Sequence, residues 1–153
     1  MELYLKDSEA TERLGYLLGT KAQDGDVICL TGDLGAGKTL LTQGVATALG
    51  VKAEDVTSPT FTIMNIYQGK ELEIRHFDLY RLNRPEELED IGFSEYCGGD
   101  GITLIEWAEL FPEELPEEYL QITLLHAEPG RKAVLEAKGS RAEELLKEVE
   151  GLC

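Results

Sequence analysis

Residues Gly32-Asp33-Leu34-Gly35-Ala36-Gly37-Lys38-Thr39 satisfy the pattern G-x-x-x-x-G-K-[ST] at every fixed position. This octet constrains the fold more than anything else in the chain, because it works only as a loop between a buried parallel strand and a helix. Both neighbours are present in the sequence. Asp26-Val27-Ile28-Cys29-Leu30 reads as the strand, and residues 40–49, closed by Gly50, read as the helix. The octet is therefore read as a P-loop; together with the tight turn at Gln68-Gly69-Lys70, whose two strands must be antiparallel, it predicts an α/β fold: a three-layer P-loop NTPase-like domain with a mixed, mostly parallel central sheet and antiparallel hairpins.

Each part of the loop has a physical task. Gly32, Gly35 and Gly37 tolerate backbone angles that a Cβ forbids, so successive N–H groups turn inward around an anion. The helix starting near Lys38 adds unsatisfied N–H groups and the positive end of its dipole. Residues 33–40 (Asp33, Leu34, Gly35, Ala36, Gly37, Lys38, Thr39 and Leu40) are thus the expected phosphate cradle. Within it Lys38 is to reach the β and γ phosphates, and Thr39 is to give a hydroxyl to Mg²⁺.

Phosphate binding becomes phosphate chemistry only with a carboxylate to arrange the metal shell and the attacking oxygen. Two acids end predicted strands. Glu106 follows the apolar run Ile102-Thr103-Leu104-Ile105, and Asp78 ends the strand of residues 72–77. Glu106 can bind Mg²⁺ directly or orient the attacking water, and Asp78 can serve as a metal-shell ligand or stand near the γ-phosphate; acids at strand ends are also common as solvated turn residues. Ser58-Pro59-Thr60-Phe61-Thr62 brings three hydroxyls (Ser58, Thr60 and Thr62) into a loop stiffened by Pro59, suited to a switch over the γ-phosphate or to a simple hairpin entrance. His76 is read as a packed or structurally hydrogen-bonded strand residue. Trp107, the only tryptophan, is a core anchor by default, and its place beside Glu106 also suits a role near the site.

Elsewhere the sequence predicts a first strand over residues 2–5 and a helix capped by Ser8. A hairpin of strands 61–67 and 72–77 turns at Gln68-Gly69-Lys70, and an acidic helix starts at Asn83 with Glu86 reaching back. A closing hairpin of strands 119–125 and 132–137 surrounds Glu128-Pro129-Gly130, before a terminal helix over residues 141–149. Length and the absence of linkers predict one domain over residues 1–153. Thirty acidic against 14 basic side chains give a net charge of −16, which argues against extensive direct contact with nucleic-acid phosphates or anionic lipid. Cys29, Cys97 and Cys153 form no C-x-x-C pair, so neither a disulfide framework nor a zinc site is expected, and a reducing cytoplasm is.

Four motifs follow one another in fixed order: G-D-L-G-A-G-K-T at residues 32–39, S-P-T-F-T at 58–62, H-F-D-L-Y-R at 76–81 and E-W-A-E at 106–109. The set resembles the bacterial TsaE (YjeE) family of small P-loop ATPases. The match extends to Gly92-Phe93 and Gly98-Gly99, and more weakly to Gly130-Arg131. The resemblance implies an ATPase that works with two partner proteins, TsaB and TsaD, in placing threonylcarbamoyl on the adenosine beside the tRNA anticodon, resetting their complex between turnovers. It carries phosphate binding to residues 35–38, Mg²⁺ to Thr39 and Glu106, and a place at the nucleotide to Asp78, and Trp107 matches the family's tryptophan beside the acid; the loop of Ser58, Thr60 and Thr62 and the Glu106-Trp107 edge are the expected surfaces for partner coupling. Ser8, Thr11, Gly130 and Arg131 are implied as further nucleotide contacts. ATP and Mg²⁺ are the implied ligands, and tRNA is reached through the complex. No arginine flanks the octet in sequence, so turnover is expected to be slow alone and accelerated by partners. A small-molecule kinase and a non-catalytic nucleotide-dependent adaptor stay open as alternatives. A GTPase is disfavoured by the lack of N-K-x-D.

Overall fold

The computed structural model describes residues 1–33, 37–59 and 62–152. Seven strands form one sheet: β1 (Glu2–Leu5), β2 (Val27–Gly32), β3 (Met64–Gln68), β4 (Glu73–Asp78), β5 (Ile102–Glu106), β6 (Tyr119–His126) and β7 (Arg131–Lys138). Their spatial order is β1-β7-β6-β2-β5-β4-β3. The middle is parallel, with β2 between β6 and β5 and β4 beyond β5. The two flanks close by antiparallel pairing, β6 with β7 and β7 with β1 on one side, β4 with β3 on the other. The expected mixed sheet with antiparallel hairpins is what the chain forms, parallel in its middle and antiparallel at both flanks.

Alternation along the strands divides the core between two faces. Ile28, Leu30, Ile74, Leu104, Leu120 and Ile122 pack against α1 (Ser8–Lys21), α2 (Lys38–Ala48) and α5 (Ser140–Glu150). Val27, Cys29, Phe77 and Ile105 face the opposite way, against Leu88 of α3 (Pro85–Asp90), Phe93 of α4 (Phe93–Tyr96), Ala108 and Phe111. Three layers result. Both described cysteines are free; burial raises the Cys29 thiol well above its ordinary range and pushes Cys97 up to about 12. Among the described residues no helix is long and apolar enough to cross a membrane.

Two helix starts differ from expectation. Asp7 caps α1, its Oδ1 accepting from Ala10 N at 2.9 Å, while Ser8 is the first helical residue. At α3 the reach-back acid is Glu87, which accepts from the N–H groups of Asn83 and Arg84, with Pro85 as first helical residue. In both cases adjacent residues have the right chemistry, and the path of the incoming chain selects between them.

Helices α1 and α2 touch backbone to backbone. A Cβ at Gly15 would collide with the carbonyl of Leu41, and one at Gly44 with the carbonyl of Glu12. No rotamer can relieve a clash with backbone. Alanine would add up to about 1 kcal/mol of helix propensity, yet separating the helices costs about 1–3 kcal/mol. Gly15→Ala and Gly44→Ala are therefore each expected to lower stability, read as a lower denaturant midpoint at constant slope; unchanged midpoints would mean that the helices part freely. The close approach matters because α2 carries Lys38 and Thr39 while α1 carries Thr11.

Candidate nucleotide site

Parallel strands deliver their C-terminal ends to one edge, and ligands of open α/β sheets bind there. Strand β2 ends at Gly32, β5 at Glu106 and β4 at Asp78, with Asp78 directly opposite Glu106 in register. Gly37 stands at φ +107°, the left-handed region that lets the loop turn straight into α2. Leu34, Gly35, Ala36 and Thr60 lie outside the described residues, so the cradle is seen from Gly32, Asp33 and the start of α2.

Lys38, largely covered, places its Nζ 3.8 Å from Glu106 Oε1 and 4.7 Å from the centre of the Trp107 ring. The second distance is a cation–π contact. The first exceeds the 2.7–2.9 Å typical of a charge-assisted hydrogen bond, so the lysine is attracted to the acid without being tied to it. Trp107 takes φ +63° immediately after β5, which turns its ring toward Lys38 and Tyr80; the Tyr80 and Trp107 rings are 4.9 Å apart. It is half-buried against the second core face and also borders the site. Glu106 is 4% exposed and Asp78 3%. Asp78 Oδ1 accepts from Tyr80 N at 3.0 Å, which shapes the turn out of β4. Thr39 and Asp33 are exposed, and Leu40 is intermediate.

Three of the outlying candidates meet the loop or explain its neighbourhood. A Cβ on Gly37 would stand 3.2 Å from Thr11 Cγ2 and 3.3 Å from Arg131 Nε, so both side chains abut the last glycine of the octet. Gly130, at φ +82°, has the Leu5 carbonyl where a Cβ would go; it lets the β6–β7 turn close on β1 and so delivers Arg131. Ser8 is exposed in the first turn of α1. An arginine thus stands beside the P-loop in space although none flanks it in sequence.

The segment after α2 is tied to β3. Tyr67 Oη donates to Thr57 O (3.0 Å) and accepts from Thr57 N (3.2 Å) and from Asn65 Nδ2 (3.2 Å), while Thr62 Oγ1 donates to Asn65 Oδ1 (2.8 Å). Ser58 and Thr62 are exposed, and Pro59 is buried. This hydrogen-bonded anchorage was not evident from residue type. Glu109 of E-W-A-E was likewise unassigned by sequence; it accepts from Thr31 Oγ1 at 3.4 Å, at the end of β2.

His76 is the buried, structurally hydrogen-bonded strand residue that the sequence predicts, and only its partner was not foreseen. That partner is Glu106: Nε2 lies 2.6 Å from Oε2. Residue parity offered the signal, since His76, two before Asp78, shares its face of β4 with Ile74 and Asp78.

Among the described residues no group of three or more His, Cys, Asp or Glu side chains is arranged to hold a metal ion. One hydroxyl and one carboxylate near the P-loop fit Mg²⁺, which keeps waters and phosphate oxygens in its shell rather than demanding an all-protein cage.

Comparison with known proteins gives a consistent answer. The family model described as "Threonylcarbamoyl adenosine biosynthesis protein TsaE" matches residues 5–134. The tRNA threonylcarbamoyladenosine biosynthesis protein TsaE of Bacillus subtilis is 44% identical over 142 residues, 92% of this chain and 88% of that protein. Its counterpart in Treponema pallidum is 38% identical over 134 residues, 88% of this chain and 98% of that one. The crystal structure of Bacillus subtilis YdiB superposes with a TM-score of 0.81 at 37% identity, covering 98% of this chain and 93% of that one. With a family model spanning most of the chain, relatives matched over nearly their full length and one shared fold, the chain belongs to the TsaE family of threonylcarbamoyl adenosine biosynthesis proteins.

Proposed function

We propose that this chain is the Mg²⁺-dependent ATP-binding and ATP-hydrolysing subunit of the machinery that forms threonylcarbamoyladenosine beside the tRNA anticodon, and that it resets a complex of TsaB-type and TsaD-type partners between turnovers. The observation that carries the reading is the meeting of Lys38, at the start of the P-loop helix, with Glu106, at the end of the adjacent strand, 3.8 Å apart. A lysine and a nearly buried carboxylate at one strand edge are what phosphoryl chemistry requires, because there is little covalent work for the protein beyond positioning and charge stabilisation.

In this reading the N–H groups of Gly37 and the first turn of α2 hold phosphate oxygens, and the motif assigns the same task to Asp33, Leu34, Gly35, Ala36 and Leu40. Lys38 leaves the Trp107 face for the β and γ phosphates. Thr39 and Glu106 hold Mg²⁺, which when bound neutralises charge on the phosphate oxygens. Glu106, with Asp78 beside it, orients the attacking water. Thr11 and Arg131 line the nucleotide next to Gly37, and Ser8 and Gly130 complete that side. Ser58, Thr60 and Thr62 form a switch over the γ-phosphate, and with the Trp107 edge they are where partner docking acts. The protein works in the cytoplasm, in keeping with the free thiols of Cys29 and Cys97.

The deciding measurement is phosphate release from ATP by the chain alone, with its TsaB and TsaD partners, and with tRNA added. Slow turnover alone and strong acceleration by the partners are expected; a catalytic group supplied in trans is worth roughly 10³–10⁵-fold in P-loop NTPases. Trp107 fluorescence should respond first to ATP and again to the partners. Fast turnover that ignores the partners would indicate a self-sufficient enzyme, transfer of phosphate to an added acceptor a kinase, and ATP binding with no turnover in any mixture an adaptor.

A further inference from the structure

The two oxygens of Glu106 are used differently. Oε1 faces Lys38 Nζ at 3.8 Å, whereas Oε2 is 2.6 Å from His76 Nε2. His76 is fully buried in the middle of the sheet edge that forms the site, at 0% exposure. It pairs with Leu104 while Asp78 pairs with Glu106, so the imidazole reaches diagonally from β4 to the carboxylate on β5, on the sheet face that packs against α2. Its Nδ1 has no hydrogen-bond partner among the described residues. A proton on Nδ1 would be buried without an acceptor, while a proton on Nε2 meets a carboxylate, so Nε2–H is the donor. The Tyr67 ring, 6.4 Å away between centroids and held at its hydroxyl by Thr57 and Asn65, walls the imidazole on β3.

We infer that His76 is a positioning residue: its Nε2–H fixes Oε2 of Glu106 so that Oε1 alone is presented to the nucleotide site, and so that the carboxylate does not close onto Lys38. Without that hold, a nearly buried carboxylate beside an ammonium would form the short contact typical of charge-assisted pairs. Lys38 would then be neutralised where phosphate needs it, and Glu106 would be turned from the metal shell. Hydrogen-bonding partners that orient metal-binding groups commonly have this function. The inference deepens the proposed function, resting on Glu106 as the acid of the site, but the His76–Glu106 bond can be tested without nucleotide.

The test uses the full chain and the variants His76→Leu, His76→Gln, Glu106→Gln and the Leu/Gln double substitution. Long-range ¹H–¹⁵N spectra of the nucleotide-free chain contain only two imidazoles, His76 and the exposed His126. His76 should be protonated on Nε2, with a resonance that moves in Glu106→Gln; protonation on Nδ1, or no movement, overturns the inference. His76→Leu should lower kcat about 10–100-fold, with KM for Mg·ATP changed by no more than about threefold. His76→Gln, which restores an N–H near the Nε2 position, should recover most of that loss. In the Glu106→Gln background the leucine change should have almost no further effect; an equal loss in both backgrounds would make His76 a packing residue only. A parent that binds ATP without hydrolysing it defeats the ATPase reading, and the Mg²⁺ midpoint for ATP binding then decides. It should rise about tenfold in His76→Leu, and an unchanged midpoint overturns the inference. If His76→Leu does not fold, His76→Gln and the spectra of the parent and Glu106→Gln carry the decision.

Discussion

Replacing Lys38 by alanine is expected to reduce ATP turnover about 100-fold or more while the chain still folds. A charge-assisted contact is worth about 1.5–3 kcal/mol, and each 1.36 kcal/mol withdrawn from a transition state costs about tenfold in rate. Lys38 would make more than one such contact as charge shifts across the transferring phosphoryl group. The fold should survive because the side chain rests on Glu106 and Trp107 and belongs to neither apolar core cluster. Thermal melting followed by circular dichroism checks this, and phosphate release checks turnover. The variant should also lose the cation–π contact with the single tryptophan, so its emission in the nucleotide-free state should differ from the parent's. Parent-rate hydrolysis by a folded variant would remove the P-loop reading.

The contrast between Lys38 and His76 shows what the sequence made legible. Lys38 was readable because the octet's function depends on local backbone: the same few residues form the strand end, the turn and the helix start. The place of Glu106 at a strand end was readable because Ile102-Thr103-Leu104-Ile105 is too apolar for anything but a buried strand. The antiparallel hairpins were readable from turn chemistry at Gln68-Gly69-Lys70 and Glu128-Pro129-Gly130. Strand order was not. Residues 119–138 carry alternation but nothing that specifies a neighbour, yet β6 pairs with β2 and β7 carries Arg131 back to Gly37. That long-range closure is set by the packing of α5, α1 and the sheet, which no local pattern encodes. His76 fell between the cases: its parity was visible, but its partner became identifiable only once β4 and β5 were known to lie side by side. The N-caps failed for a smaller reason, since Asp7 and Ser8 can both accept from a helix N–H and only the entry path of β1 distinguishes them.

Glu106→Gln is expected to separate turnover from binding in a way that Lys38→Ala cannot. Glutamine has nearly the shape of glutamate, and its carbonyl oxygen can still accept from His76 Nε2–H, so the packing of this 4%-exposed side chain should be kept. What disappears is the negative charge facing Lys38 at 3.8 Å. Two consequences oppose each other. The metal shell and the attacking water lose an anionic partner, which at about 1.5–3 kcal/mol corresponds to a fall in kcat of about 10–150-fold. Lys38 meanwhile loses the carboxylate that competes with phosphate for its charge, so ATP affinity measured without Mg²⁺ should hold or tighten. Calorimetric titration with and without Mg²⁺, beside phosphate-release kinetics, separates the two. A variant that loses affinity for Mg·ATP but keeps kcat at saturating nucleotide would make Glu106 a ground-state contact, because uniform binding changes KM and a group used only in the transition state changes kcat. Unchanged turnover would move the metal acid to Asp78, its partner in register on β4, and Asp78→Asn would then be the variant that lowers kcat.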